Sequence, residues 1–150
     1  MKTIIFYTST HHGNTAKVAK VIGEVLKADM HDLEKEEGAS VDIRKADLIG
    51  LGSGVYGFNL SEKLFALADQ LDLTGKKVFL FSTSSSNRIK LLKKLKDKLA
   101  EKKVEVVGEF MCLGFVDWAF FKWFGGWLRK GHPNAEDLEN ARKFAESLKK

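Results

Sequence analysis

Ile4-Ile5-Phe6-Tyr7-Thr8-Ser9-Thr10-His11-His12-Gly13-Asn14-Thr15 is the stretch from which the rest of the chain is read. Its first four residues are β-branched or aromatic and predict a strand. A polar loop containing Gly13 follows. Ala16, Val18, Ala19, Ile22, Val25 and Leu26 then recur at spacings of three and four, which predicts a helix.

The same alternation continues along the chain. A weak strand is expected around residues 29–33, then an acidic connection over 34–40. Leu48-Ile49-Gly50-Leu51 predicts a strand that runs into a Gly/Ser turn. Leu64, Phe65, Leu67, Ala68 and Leu71 mark a helix with Ser61 as its N-cap. Val78-Phe79-Leu80-Phe81 is continuously apolar, as a strand covered on both faces requires. The polar loop 82–87 leads into a lysine-rich helix whose Ile89, Leu92, Leu95 and Leu99 face inward. Val104, Val106 and Val107 open a fifth strand reaching Met111. The last helix starts near Asn134, with Asp137 three residues on as a capping partner, and carries Leu138, Ala141, Phe144, Ala145 and Leu148. Five strands alternating with helices predict an α/β sandwich around a mostly parallel sheet.

Composition bounds the rest. A chain of 150 residues with 44% hydrophobic and 30% charged residues suits one domain, 1–150, with a real core. Cys112 is the one cysteine, which excludes an intramolecular disulfide and any four-thiolate metal site within one chain. The apolar run at the N-terminus is too short for a signal peptide, and no apolar stretch approaches the roughly 20 residues of a bilayer span. A cytoplasmic location is expected. Net charge is +5, which favours acidic partners. Arg88, Lys90, Lys93, Lys94, Lys96, Lys98, Lys102 and Lys103 crowd one segment, either as a solvated helix face or as a docking patch. Nucleic-acid binding would rest on that helix alone and is not expected. Residues 113–128, rich in Phe and Trp, admit three readings: a loop packed over the sheet edge, a lid or partner surface, or an interfacial membrane contact.

In parallel α/β sheets, ligands bind beyond the carboxyl ends of the strands. Three loops here leave strand ends with unusual polarity. The first, Thr8 through Thr15, puts hydroxyls and a glycine before a helix N-terminus, the parts of a phosphate site. It matches neither GxxxxGK[ST] nor GxGxxG, and it holds no Lys or Arg. His11 and His12 are neighbours with no carboxylate placed beside them by sequence, so no metal site is expected. The second loop, Gly52-Ser53-Gly54-Val55-Tyr56-Gly57-Phe58, combines close backbone approach with an aromatic that can stack on a flat ring. The third, Ser82-Thr83-Ser84-Ser85-Ser86-Asn87, offers small polar groups. Together they describe a site for a flat, phosphate-bearing cofactor.

At these residues the chain resembles the flavodoxin family. Thr10-His11-His12-Gly13-Asn14-Thr15 with Ala16 and Ala19 is similar to its flavin-mononucleotide (FMN) phosphate loop. The run from Asp47 to Tyr56 is similar to its third strand and first flavin loop. Lys130-Gly131-His132-Pro133-Asn134 with Asp137, Leu138 and Ala141 is similar to the start of the last helix in a flavodoxin-like branch. The resemblance covers essentially the whole chain, in order. It implies a flavodoxin-like three-layer sandwich with a five-stranded parallel sheet of order 2-1-3-4-5, and bound FMN. Ser9, Thr10, His11, His12, Gly13, Asn14 and Thr15 would hold the phosphate. Ser53, Gly54, Val55, Tyr56 and Gly57 would line the flavin, with Tyr56 stacking on it, and Ser82, Thr83 and Ser84 would border its other side. Flavodoxins are usually acidic, whereas this chain is basic. The third loop has no aromatic residue, which turns attention to Phe115 or Trp118 for a second wall.

The function so implied is low-potential electron transfer between protein partners, with an acidic ferredoxin-type donor suited to the basic charge, by a monomer or weak dimer. No catalytic residue is assigned. The alternative is an FMN-dependent NAD(P)H oxidoreductase acting on quinones or small molecules, and a flavin-free binding module is the third reading. Other functions of similar folds lack their residues: Tyr7-Thr8-Ser9 has no acid for a receiver domain. Cys112 is not in the first loop, as a low-molecular-weight phosphatase requires. Asp29-Met30-His31 is followed by Glu34 where a cobalamin motif needs Gly.

Overall fold

The computed structural model describes residues 1–10, 13–84, 90–114 and 131–150. In chain order its elements are β1 (Thr3–Thr8), α1 (Asn14–Leu26), β2 (Asp29–Asp32), a 3-10 turn (Gly38–Ser40), β3 (Leu48–Tyr56) and β4 (Asn59–Leu60). These are followed by α2 (Glu62–Gln70), β5 (Lys77–Ser84), α3 (Lys90–Glu101), β6 (Glu105–Leu113) and α4 (Ala135–Ser147). The main sheet runs β2-β1-β3-β5-β6, every neighbouring pair parallel. β4 lies off this path, antiparallel to the end of β3. With β4 set aside, the order is the expected 2-1-3-4-5 of a flavodoxin-like sandwich.

Strand alternation divides the core into two layers. Ile4, Phe6, Ile49, Leu51, Val78 and Leu80 turn to the face covered by α2 and α3, where Leu64, Leu67, Leu92, Leu95 and Leu99 meet them. Ile5, Phe79 and Phe81 turn to the opposite face, under Val18, Ala19 and Ile22 of α1 and Ala141 and Ala145 of α4. Two glycines make room on this second face. Gly50 pairs with Phe79 and Gly52 with Phe81. A Cβ on Gly52 would stand 2.0 Å from the Phe81 ring, and one on Gly50 2.4 Å from Phe79. The two rings therefore lie across β3 and stack on each other at 6.0 Å.

That packing explains where the strands outrun the sequence reading. The Gly/Ser turn expected after Leu51 is absent: β3 continues through Gly52, Ser53 and Gly54 to Tyr56. Glycine's low strand preference is overridden because neighbouring rings occupy the space a side chain would take. β5 likewise takes in Ser82, Thr83 and Ser84, which the sequence placed in a loop, and β6 reaches Leu113. The two-residue β4 was not anticipated.

The helix ends follow the sequence closely. Ser61 caps α2, accepting from the Lys63 amide at 3.2 Å. Asn134 and Asp137 form a reciprocal capping box at the start of α4, both bonds 2.9 Å. Leu92, Leu95 and Leu99 of α3 are fully buried, while Ile89 and Arg88 lie outside the described residues. The lysines of α3 are largely engaged within the chain. Lys93 pairs with Asp97 at 2.5 Å, Lys96 with Glu109, and Lys98 with Asp69 at 2.8 Å. Lys94 sits over the Phe65 ring, and Lys102 reaches the carbonyls of Ala68 and Asp69. These contacts tie α3 to α2 and β6, and favour the solvated-face reading of the charge run. Among the described residues no helix is long and apolar enough to cross a membrane.

Candidate cofactor-binding site

The carboxyl ends of β1, β3 and β5 lie side by side, through the pairs Thr8 with Ser53 and Ser53 with Ser82. The period of two along each strand then sorts the candidate residues between the faces. Gly54 pairs with Thr83 and Thr83 with Cys112, on the α1 side. The Thr15 and Thr83 hydroxyls are 2.8 Å apart, in contact between α1 and β5. A Cβ on Gly54 would lie 3.5 Å from Thr15 Oγ1 and 2.8 Å from the Tyr56 hydroxyl. The Thr10 amide donates to that hydroxyl at 3.3 Å. Thr10, Thr15, Gly54, Tyr56 and Thr83 thus converge at one place.

The loop before α1 is shaped for this. Gly13 caps the helix at φ 65, in the left-handed region where glycine is favoured, and has no side chain to satisfy the helix amides. Ser9 supplies one acceptor from further back, its Oγ taking the Ala16 amide at 3.0 Å. No acidic residue stands in the first turn of α1, so the helix dipole presents uncompensated positive potential. Asn14 and Thr15 are both buried at this end. Gly114, just beyond β6, comes so close that a Cβ there would meet Asn14 Nδ2 at 2.9 Å, and its amide donates to the Ser84 carbonyl at 2.8 Å.

Other expected site residues point elsewhere. Ser53 is fully buried, and its hydroxyl is used within the protein: it accepts from Thr8 Oγ1 at 3.1 Å and the Ser61 amide at 2.8 Å, and donates to the Gly54 carbonyl at 2.6 Å. Its role is to lock β1, β3 and the start of α2 together. Val55 packs against the α2/α3 core. Ser82 is buried in the same row as Ser53, and its hydroxyl has no hydrogen-bond partner among the described residues. Gly57 sits at the tip of the β3–β4 hairpin with φ 56. His11, His12 and the aromatic segment 115–130 lie outside the described residues.

Two features were missed by the sequence reading. Gly114 carried a signal, as a lone small residue where a strand gives way to bulky aromatics. The Tyr56–Thr10 contact carried none, since it joins residues 46 apart. Cys112 is no reactive nucleophile: burial, with Asp137 nearby, pushes its thiol up to about 12. Asp137 also lies 2.5 Å from His132 Nδ1, fixing that ring beside the start of α4.

A hydroxyl pair, a backbone amide, an acid-free helix N-terminus and an aromatic ring fit a flat ligand with a phosphate. Comparison with known proteins bears on the family and the fold. A family model described as a flavodoxin domain matches residues 4–124. An uncharacterized protein of Methanocaldococcus jannaschii is 43% identical over 153 residues, covering 100% of this chain and 99% of the relative. Oxidised flavodoxin 1 from Bacillus cereus is similar in structure, with a TM-score of 0.72 at 22% identity over 99% of this chain and 97% of that one. A flavodoxin from the domain Archaea matches with a TM-score of 0.61 at 17% identity, covering 100% of both chains. The solved structures establish the shared fold, and the matched family model, spanning most of the sequence, establishes that this chain belongs to the flavodoxin-domain family.

Proposed function

We propose that residues 1–150 act as one FMN-binding domain that carries electrons between protein partners. The observation that supports this reading most is the convergence of the Thr10 amide, the Thr15–Thr83 hydroxyl pair and the Tyr56 ring beside the acid-free N-terminus of α1. Phosphate recognition without a lysine needs amides, hydroxyls and a helix dipole, and all three meet here. Thr10, Gly13, Asn14 and Thr15, with His11 and His12 in the intervening sequence, would hold the phosphate. Thr83 would orient the adjoining chain of hydroxyls, and Tyr56, with Gly54 and Gly57 around it, would cover one face of the ring and exclude water. FMN, when bound, supplies a redox group that takes up and releases electrons. Ser9 and Ser53 serve by fixing the helix and strand ends from which these groups project.

An acidic donor of the ferredoxin type suits a chain with a net charge of +5. The test is anaerobic: FMN-loaded protein is reduced coulometrically and assayed with NAD(P)H and quinones. Uptake of one electron per step with no quinone turnover supports the carrier. Sustained quinone turnover overturns it in favour of a reductase, and purified protein that takes up no FMN overturns both.

A further inference from the structure

We propose that the Tyr56 hydroxyl competes with a ligand phosphate for the Thr10 amide, so that the site discriminates against ligands bearing a phosphate without a flat ring. The inference rests on the cofactor reading above and adds a specificity-determining role for one atom of this chain.

The contact is built rather than incidental. Tyr56 folds back along its own strand, over Gly54, until its hydroxyl meets the Thr10 amide. Any side chain at position 54 would stand 2.8 Å from that hydroxyl and 3.0 Å from the ring carbon bearing it. The hairpin holds Tyr56 there: Val55 pairs with Leu60 and Tyr56 with Asn59, across a two-residue turn in which Gly57 and Phe58 have φ 56 and 66. Two left-handed residues make this the tight turn that matches strand twist. Left-handed backbone is costly for a bulky aromatic such as Phe58, whose side chain is exposed. The chain thus accepts local strain at the tip of the hairpin that aims Tyr56 at the phosphate loop.

Occupation of the Thr10 amide by a phosphate oxygen requires the phenol to leave. A ligand that also carries a flat ring regains the loss, because the released Tyr56 ring has a surface to stack on. Inorganic phosphate has no such surface and bears the loss in full. A net hydrogen bond of this kind corresponds to a factor of about two to ten in affinity.

The test titrates inorganic phosphate, at constant ionic strength, into ligand-free wild type and Tyr56→Phe, following the Thr10 amide by NMR. The expected result is about two- to tenfold tighter phosphate binding by Tyr56→Phe, with faster solvent exchange of the Thr10 amide before phosphate is added. Gly54→Ala, whose Cβ drives the phenol away, should speed that exchange as well. Equal phosphate affinities, unchanged Thr10 exchange in Tyr56→Phe, or no phosphate binding by either protein overturns the proposal. The outcome is separable from the cofactor reading. Failure of wild type to bind FMN sinks that reading while the phosphate comparison stands. Normal FMN binding with no gain for phosphate in Tyr56→Phe sinks the competition alone.

Discussion

Replacing Thr83 by Val tests whether the contact between α1 and β5 is both a structural and a ligand-binding element. Thr15 and Thr83 are 2% and 4% exposed, and their hydroxyls are 2.8 Å apart. Val keeps the shape of Thr but leaves the Thr15 hydroxyl buried without that partner, which costs about 1–3 kcal/mol. In a domain of this size that lowers Tm by about 2–4 °C per kcal/mol. Thr15→Val should cost a similar amount for the same reason. The double variant removes both polar groups together, so most of the loss should be recovered. A double-mutant cycle by urea unfolding therefore predicts a coupling that approaches the sum of the two single losses, about 2–6 kcal/mol. FMN affinity follows a different course: it should fall in both single variants and stay low in the double, which regains packing but no hydroxyl. Strictly additive stability losses would rule out the coupling, and a double variant that binds FMN as wild type does would rule out a role for the two hydroxyls in binding.

Three further outcomes follow from the packing and chemistry of the described residues. Gly52→Ala sets a Cβ 2.0 Å from the Phe81 ring and should destabilise by about 1–3 kcal/mol through overpacking, with Phe81→Leu in the same chain restoring part of it; calorimetric Tm values check both. Phe58→Gly relieves a left-handed aromatic that is 88% exposed and should stabilise by about 1 kcal/mol in denaturant melts, whereas a loss of stability would mean that the ring makes contacts worth more than the strain. The Cys112 thiol, raised to about 12 from 9.0 by burial, should resist labelling in the native state at pH 8. Because its folded value lies above the unfolded one, its contribution is complete below pH 9 and is lost as pH rises from there towards 12. Cys112→Ala should remove that part of the alkaline slope in urea melts.

Much of the fold could be read from particular residues. The apolar run Val78-Phe79-Leu80-Phe81 is a central strand because both of its faces are covered, and its composition says so directly. Ser61 and the Asn134/Asp137 pair announce helix starts through local chemistry that needs no tertiary context. What was hidden depends on partners distant in sequence. Gly52 and Gly54 read as a turn until Phe81 and Tyr56 are seen lying where their side chains would be. The lysines of α3 were legible as a surface, but their pairing with Asp69 and Glu109 was not. Within the candidate site, Thr15, Tyr56 and Thr83 stand out in the sequence as polar or aromatic groups near strand ends, and the structure brings them together. Ser53 and Ser82 looked equivalent to them. Only the strand register, which turns them to the α2/α3 face, tells them apart.

Under the proposed function, this flavodoxin-domain protein would hold FMN first through its phosphate, at the start of α1. Isothermal titration of the ligand-free protein with FMN and with riboflavin, under identical salt and pH, separates the phosphate from the ring. The two ligands share the ring that Tyr56 would cover and differ only in the phosphate. FMN should bind far more tightly, by at least about a hundredfold, as expected for two or more charge-assisted hydrogen bonds. Equal affinities for the two ligands would contradict it.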